Sequence, residues 1–248
     1  MRTRHPNIAR LLGYSINTQE TKEVYFVFES PTNGSLFDAL AKEDKRALLT
    51  AQRRVKIMFE LARVMSFLHK GVSAGNEAPI KFVHRDLKAS NIYLTSDYSI
   101  KLMDCGLASL VKDPVSESDI AFQLMDGWQV FGSQGYVCPQ YASAKVTTYT
   151  PPCDVYSFGI VMMELLTGWL QFGNLAKKYQ ERHVLIGGID VHAGEAWTPV
   201  LDDLCDLALS CVHAELASRP SSDSIFESLK EIYSRLLSTP NSSPIKQL

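Results

Sequence analysis

The sequence predicts an α+β fold in which helices dominate and strands are few and short. Three observations predict it. Apolar residues recur at helical period over one long stretch, at Ile57, Leu61, Val64 and Leu68. A second stretch, Asp154 to Thr167, is apolar nearly all round, the mark of a helix buried on every side. The β-branched and aromatic segments, by contrast, are brief and bounded by turn residues.

In chain order, VYFVFES at 24–30 reads as a strand that ends at the turn-like PTNGS. A short helix from about Ser35 to Lys42 follows. Thr50 is a good N-cap for the long amphipathic helix, which stops before Gly71. Short strands near 81–83, 92–94 and 100–103 come next, so Asp86 and Asp104 fall at strand ends or on loops, where rigid elements present mobile chemistry. The 154–167 helix ends at Gly168, which suits the left-handed C′ position, and is expected to be the central pillar of a helical domain. Stretches 201–213 and 222–237 read as surface helices with Pro220 breaking between them, and the tail from 238 to 248 is expected to be disordered.

Of the 248 residues, 46% are apolar and 21% charged, an ordinary globular composition with room for one sizeable core or two modest domains. The net charge of −2 provides no basic field for a phosphate backbone, which argues against nucleic acid as a partner. Five cysteines without CxxC spacing point to reduced thiols in a cytoplasmic chain, and Cys211 and His213, two apart, would face different ways on a helix and suggest no metal site. The N-terminal residues lack a signal-peptide run, and the longest apolar run, 158–166, is about half a membrane span.

The motifs carry the chemistry. Residues 84–91 read HRDLKASN, 104–106 DCG, 132–142 GSQGYVCPQYA, 154–168 DVYSFGIVMMELLTG and 218–220 SRP. One such match is weak, but five in fixed order are specific. On these residues the chain is identified as a member of the protein kinase family. HPNIARLLGY, PTNGSL and the 154–168 run add a finer resemblance to the Pelle, interleukin-1-receptor-associated and plant receptor-like branch, from His5 to about Leu237.

The resemblance implies ATP and a protein substrate as partners. Moving a γ-phosphoryl group needs an acceptor for the attacking hydroxyl's proton and oxygen ligands for a cation. By position, Asp86 resembles the catalytic base and Lys88 a γ-phosphate contact. Asn91 and Asp104 resemble the metal ligands, for Mg²⁺ or alternatively Mn²⁺. Glu29 and Tyr93 join Asn91 and Asp104 in the implied nucleotide site, with Phe28 as gatekeeper. Lys88 and Ser133, the latter where the family has threonine, imply a Ser/Thr acceptor. Arg85 resembles the arginine that holds a phosphorylated activation segment, with Ser109, Ser116 and Ser118 as candidate acceptors. Asp154 resembles the aspartate that ties the central helix to the catalytic loop, while a plain N-cap would call for the same residue type.

The sequence also departs from the pattern. The glycine-rich loop, strand lysine and helix glutamate that precede HPNI in the family are absent, so residues 1–30 are expected to be a small-lobe remnant of a loop and two strands, with 31–237 the large lobe. Pro31 stands where a backbone N–H normally meets adenine, and proline has none to give. Tyr93 replaces a smaller floor residue, and Cys105 replaces an aromatic plug. Gln140 replaces a glutamate that pairs with the arginine matched by Arg219, which should leave Arg219 under-compensated. These features keep open a second reading, a pseudokinase or truncated isoform whose exposed surface is covered by a partner protein.

Overall fold

Two strands open the part of the chain that the computed structural model describes, which comprises residues 5–17, 23–71, 79–111, 130–170, 175–193, 197 and 199–238. Strand β1 (Leu11–Ile16) pairs antiparallel with β2 (Val24–Phe28), setting Leu11 opposite Phe28 and Ile16 opposite Val24. Both faces of this hairpin meet solvent, with Tyr14 67% and Phe26 60% exposed. Two strands alone have no second layer to bury against.

The hairpin joins the body through Asn7 and Ala9, which exchange backbone hydrogen bonds with Leu102 at 2.7 and 2.9 Å. Buried Asn7 donates from its amide to Glu60 and to the carbonyl of Ile100, both at 3.1 Å, and accepts from Arg63. Glu60 in turn accepts from the Ile100 N–H at 2.7 Å. An asparagine fits here because it donates and accepts in one short side chain.

Helix α1 (Leu36–Ala41) starts at Ser35, whose hydroxyl accepts from the Asp38 N–H at 3.1 Å and donates to the Asp38 carboxylate at 2.7 Å. After the single turn α2 (Glu43–Arg46), Thr50 caps α3 (Ala51–Lys70), and Gly71 ends it at φ +88°. Four short strands follow: β3 (Phe82–Val83), β4 (Ile92–Leu94), β5 (Ile100–Leu102) and β6 (Ser109–Leu110). They form two separate antiparallel ribbons, β3 with β6 and β4 with β5.

The remaining described elements are helical: α4 (Pro139–Ala142), α5 (Pro151–Thr167), α6 (Leu175–Lys178), α7 (Arg182–Gly187), α8 (Leu201–Cys211) and α9 (Ser222–Ser238). Helix α5 is buried from Cys153 to Thr167, as its all-round apolar sequence predicts. It starts three residues earlier than expected, because Pro151 and Pro152 occupy first-turn positions where no amide donor is missed. Helix α8 crosses α5 closely at Gly159, where a Cβ would strike Cys211 and Val212. Helix α9 packs on α3, stacking Phe226 and Tyr233 on Phe59 with centroids 5.4 and 5.7 Å away. It runs through Ser238, one residue past the expected end, and the rest of the tail lies outside the described residues.

A buried charge ties these layers together. Arg54 is fully buried and donates to the carbonyls of Leu49 and Leu165 at 2.6 and 2.7 Å and to Asp190 at 2.6 Å. The ion pair links α3 to the end of α5 and to the chain after α7. Breaking one side of such a pair strands the other charge.

Gly168 sits beside it at φ +69°, where a Cβ would meet the Asp190 carboxylate. Gly168→Ala is expected to destabilise the protein by about 1–3 kcal/mol, read as a lower urea midpoint at unchanged slope.

Candidate active site

The site is built outward from Asp154 in the first turn of α5. Its carboxylate has no solvent access and accepts from the backbone N–H groups of His84 at 2.7 Å and Arg85 at 3.0 Å. A third contact comes from His69 of α3, whose Nε2 lies 3.0 Å away. Burial alone would raise the Asp154 pKa, but the His69 and His84 contacts outweigh it and hold the group ionised. Arg85 adopts φ +71°, a left-handed conformation that costs a residue with a side chain about 1–2 kcal/mol. The hydrogen bonds to Asp154 from both sides of this turn hold it in place.

The turn delivers Asp86 into a tight polar cluster. Lys88 Nζ lies 2.7 Å from Asp86 Oδ2, and the Ser133 hydroxyl donates to Asp86 Oδ1 at 2.7 Å. Lys88 also donates to Ser133 at 2.7 Å, closing a triangle between two loops 45 residues apart. Asn91 donates its amide to the Asp86 carbonyl at 2.9 Å and to its carboxylate at 3.0 Å. Burial pushes the Asp86 carboxyl up, yet the donors Lys88, Ser133 and Asn91 pull it below the usual range. Buried His84 beneath the loop is held below the ordinary imidazole range by desolvation, and its Nδ1 accepts from the Asp86 N–H at 3.3 Å.

Asp104 follows β5 in a left-handed conformation, exposed, with one carboxylate oxygen accepting from the Gly106 N–H at 3.3 Å. The Met103 N–H donates to the Asn91 carbonyl at 2.8 Å, which fixes the two acidic loops relative to each other. With the Asn91 amide nitrogen engaged by Asp86, its side-chain oxygen is the atom left for a ligand. Asn91 and Asp104 are hard oxygen donors in the small number that suits Mg²⁺, an ion that completes its octahedron with waters and phosphate oxygens. Cys105 is exposed beside them.

At the hairpin junction, Tyr93 stands opposite Lys101 in the β4–β5 ribbon, and Lys101 pairs with Glu29 at 2.8 Å. Glu29 Oε1 also accepts from the Arg10 N–H at 3.0 Å, and the Glu29 N–H donates to the Arg10 carbonyl at 3.0 Å. Phe28 ends β2, 37% exposed. Ser109 is half-buried and paired with Val83, whereas Ser116 and Ser118 lie outside the described residues.

The Arg85 guanidinium donates to the Tyr141 hydroxyl at 3.2 Å and packs over Phe131 at 4.5 Å, with its Nε buried and unpaired. Arg219 is held by hydrogen bonds, with no carboxylate paired to it among the described residues. It donates to the carbonyls of His213 and Pro152, both at 2.9 Å, to Gln140 Oε1 at 2.8 Å and to Cys138 Sγ at 3.2 Å. The Gln140 amide oxygen, two carbonyls and the Cys138 sulfur satisfy its hydrogen bonds.

Residues 1–230 match the protein kinase domain family. The chain belongs to that family. Similar proteins include U-box domain-containing protein 70 of rice, 34% identical over 98% of this chain, and rice cysteine-rich receptor-like protein kinase 6, 33% identical over 89%. A probable serine/threonine-protein kinase of Arabidopsis thaliana, CST, is 32% identical over 98%. The chain spans 28%, 31% and 56% of the lengths of these three relatives. This places it in the plant receptor-like kinase branch, with an α+β kinase fold whose small-lobe part, among the described residues, is one hairpin. No described helix is long and apolar enough to cross a membrane.

Sequence reasoning missed one buried carboxylate in α5. Glu164, buried in α5, accepts from the Tyr136 hydroxyl at 2.6 Å, and its second oxygen has no partner. Desolvation pushes its carboxyl up to about 8. The signal was a lone carboxylate in an otherwise apolar helix. Its folded pKa lies above the unfolded value, so the protonated group's contribution is complete below the unfolded pKa and is lost as pH rises toward about 8. Glu164→Gln should remove that loss. The mutant's denaturant midpoint is expected to gain on the wild type progressively between about pH 5 and pH 8.

Proposed function

We propose that this chain is the catalytic part of an ATP-dependent serine/threonine protein kinase. The Asp86–Lys88–Ser133–Asn91 cluster carries the reading. Three separate donors converge on one carboxylate and keep it ionised at neutral pH, the state a proton acceptor requires.

In this reading Asp86 orients the substrate hydroxyl and takes up its proton. Lys88, held by Asp86 and Ser133, meets the transferring phosphoryl oxygens. Ser133 bridges base and lysine and anchors the segment on which the acceptor residue would lie. Asn91 and Asp104 would hold Mg²⁺, which neutralises phosphate charge when bound. Glu29 and Tyr93 would border the nucleotide with Phe28 behind them. The half-buried Arg85 guanidinium, whose Nε has no partner, supports a phosphate-holding role. Residues 1–30 then belong to the small lobe and 31–237 to the large lobe, in a cytoplasmic protein.

A second reading is favoured by the hairpin, whose Leu12, Tyr14, Ile16, Phe26 and Val27 are all more than half exposed. Apolar exposure of this extent suits a protein-binding scaffold covered by a partner. Pro31, Tyr93 and Cys105 point the same way.

Phosphate transfer from labelled ATP to a Ser/Thr substrate separates the two. The kinase reading predicts that Asp86→Asn loses about 10²- to 10⁴-fold in rate with Mg·ATP binding retained. Equal rates in mutant and wild type contradict the role of Asp86, and absent Mg·ATP binding favours the scaffold.

A further inference from the structure

Beneath a surface groove between helices lies a buried charge with no counter-charge. Arg219 is 6% exposed, and its hydrogen bonds run to two carbonyls, the Gln140 amide oxygen and the Cys138 sulfur. Neutral acceptors satisfy its N–H groups without cancelling a unit charge, so the field of the guanidinium persists around it.

The groove lies directly over this charge. It spans about 710 Å³ between α4, α5, α6 and α8. Three of its lining residues contact the guanidinium. Gln140 Oε1 accepts from Nη2 at 2.8 Å, the His213 carbonyl accepts from Nε at 2.9 Å, and the Tyr156 ring centroid is 5.0 Å from the guanidinium carbon. On the rim, Lys177 is exposed and makes no ion pair among the described residues. His213, also exposed, accepts at Nδ1 from the Glu215 N–H at 3.0 Å, which leaves Nε2 to carry a proton and donate. No Asp or Glu lines the groove, and Leu209 and Val212 give it an apolar wall.

We propose that this groove docks an acidic segment of a partner protein, one in which an Asp or Glu side chain sits beside an apolar residue. A cleft lined by one sign of charge, with low-dielectric walls, focuses the field and concentrates the opposite charge. Lys177 meets the carboxylate at the rim, and Arg219 adds its field from beneath without being touched. The partner's apolar residue covers Leu209 and Val212. The same field repels a lysine- or arginine-rich segment, so the groove selects by sign as well as by attraction.

Gln140 is the residue on which this selection turns. A glutamate at 140 would put a carboxylate oxygen where Gln140 Oε1 now accepts from Arg219, and the charge would be cancelled inside the protein. Glutamine keeps the hydrogen bond and leaves the charge to act on a ligand.

The test is fluorescence anisotropy of the full chain with a fluorescein-labelled peptide of alternating glutamate and leucine. Two control peptides carry glutamine for glutamate and alanine for leucine. The acidic leucine peptide is expected to bind about tenfold more tightly than either control. Lys177→Glu reverses the rim charge and Gln140→Glu neutralises the buried one, so each should weaken that binding by about tenfold, whereas Lys177→Arg should preserve it. Cooperative urea unfolding checks that the variants are folded, and exposed Lys177 decides the matter by itself if Gln140→Glu fails to fold. Equal binding of the acidic and glutamine peptides, or affinity unchanged in Lys177→Glu, overturns the proposal. So does equal binding of the alanine peptide, or displacement by equimolar inorganic phosphate, since either would mark a site for a small anion instead.

Discussion

The catalytic arrangement depends on one buried carboxylate accepting two successive backbone amides. Asp154 could not be ionised in an apolar helix without compensation, since isolated buried charge is prohibitively costly. The His84 and Arg85 N–H groups and His69 supply that compensation. In doing so they fix a turn whose left-handed residue would otherwise relax. The position of Asp86 is thus set from below, by the most deeply buried helix of the fold, and from above by Lys88 and Ser133. Helix burial, loop strain and site geometry are one coupled constraint.

The same device recurs at the other junctions. Arg54 with Asp190 joins α3 to α5 and the chain after α7, Asn7 with Glu60 and Ile100 joins the hairpin root to α3 and β5, and Arg219 joins α4 to α5. Each contact spans a large sequence separation and is buried where burial makes an unmade hydrogen bond expensive. Apolar packing gives these helices their general adhesion. The polar junctions select one relative placement, and that placement brings Asp86, Asn91 and Ser133 together.

Local features were legible in the sequence. Thr50 as a cap, Gly71 and Gly168 as stops, the period of α3 and the all-round burial of α5 follow from propensity and pattern, and the structure carries each of them. The motif order likewise located the loops that hold Asp86 and Asp104. What the sequence left hidden is pairing at a distance. Buried Arg54 on α3 finds its carboxylate partner 136 residues away. The tyrosine partner of Glu164 and the sulfur acceptor of Arg219 depend on tertiary context that periodicity does not encode. The lost carboxylate at Gln140 is visible in the sequence, but the carbonyls of His213 and Pro152 that share in holding Arg219 are not.

The claim that Asp154 sets the catalytic loop is tested most directly by amide hydrogen exchange in Asp154→Asn. Asparagine keeps the size of the side chain but presents an N–H₂ group to one of two backbone donors, so the reciprocal pairing cannot survive. The account predicts markedly faster exchange at His84 and Arg85 in the mutant, while the amides of the α3–α9 pair stay protected. Unchanged protection at His84 and Arg85 would contradict it, because the loop would then be held by something other than this carboxylate.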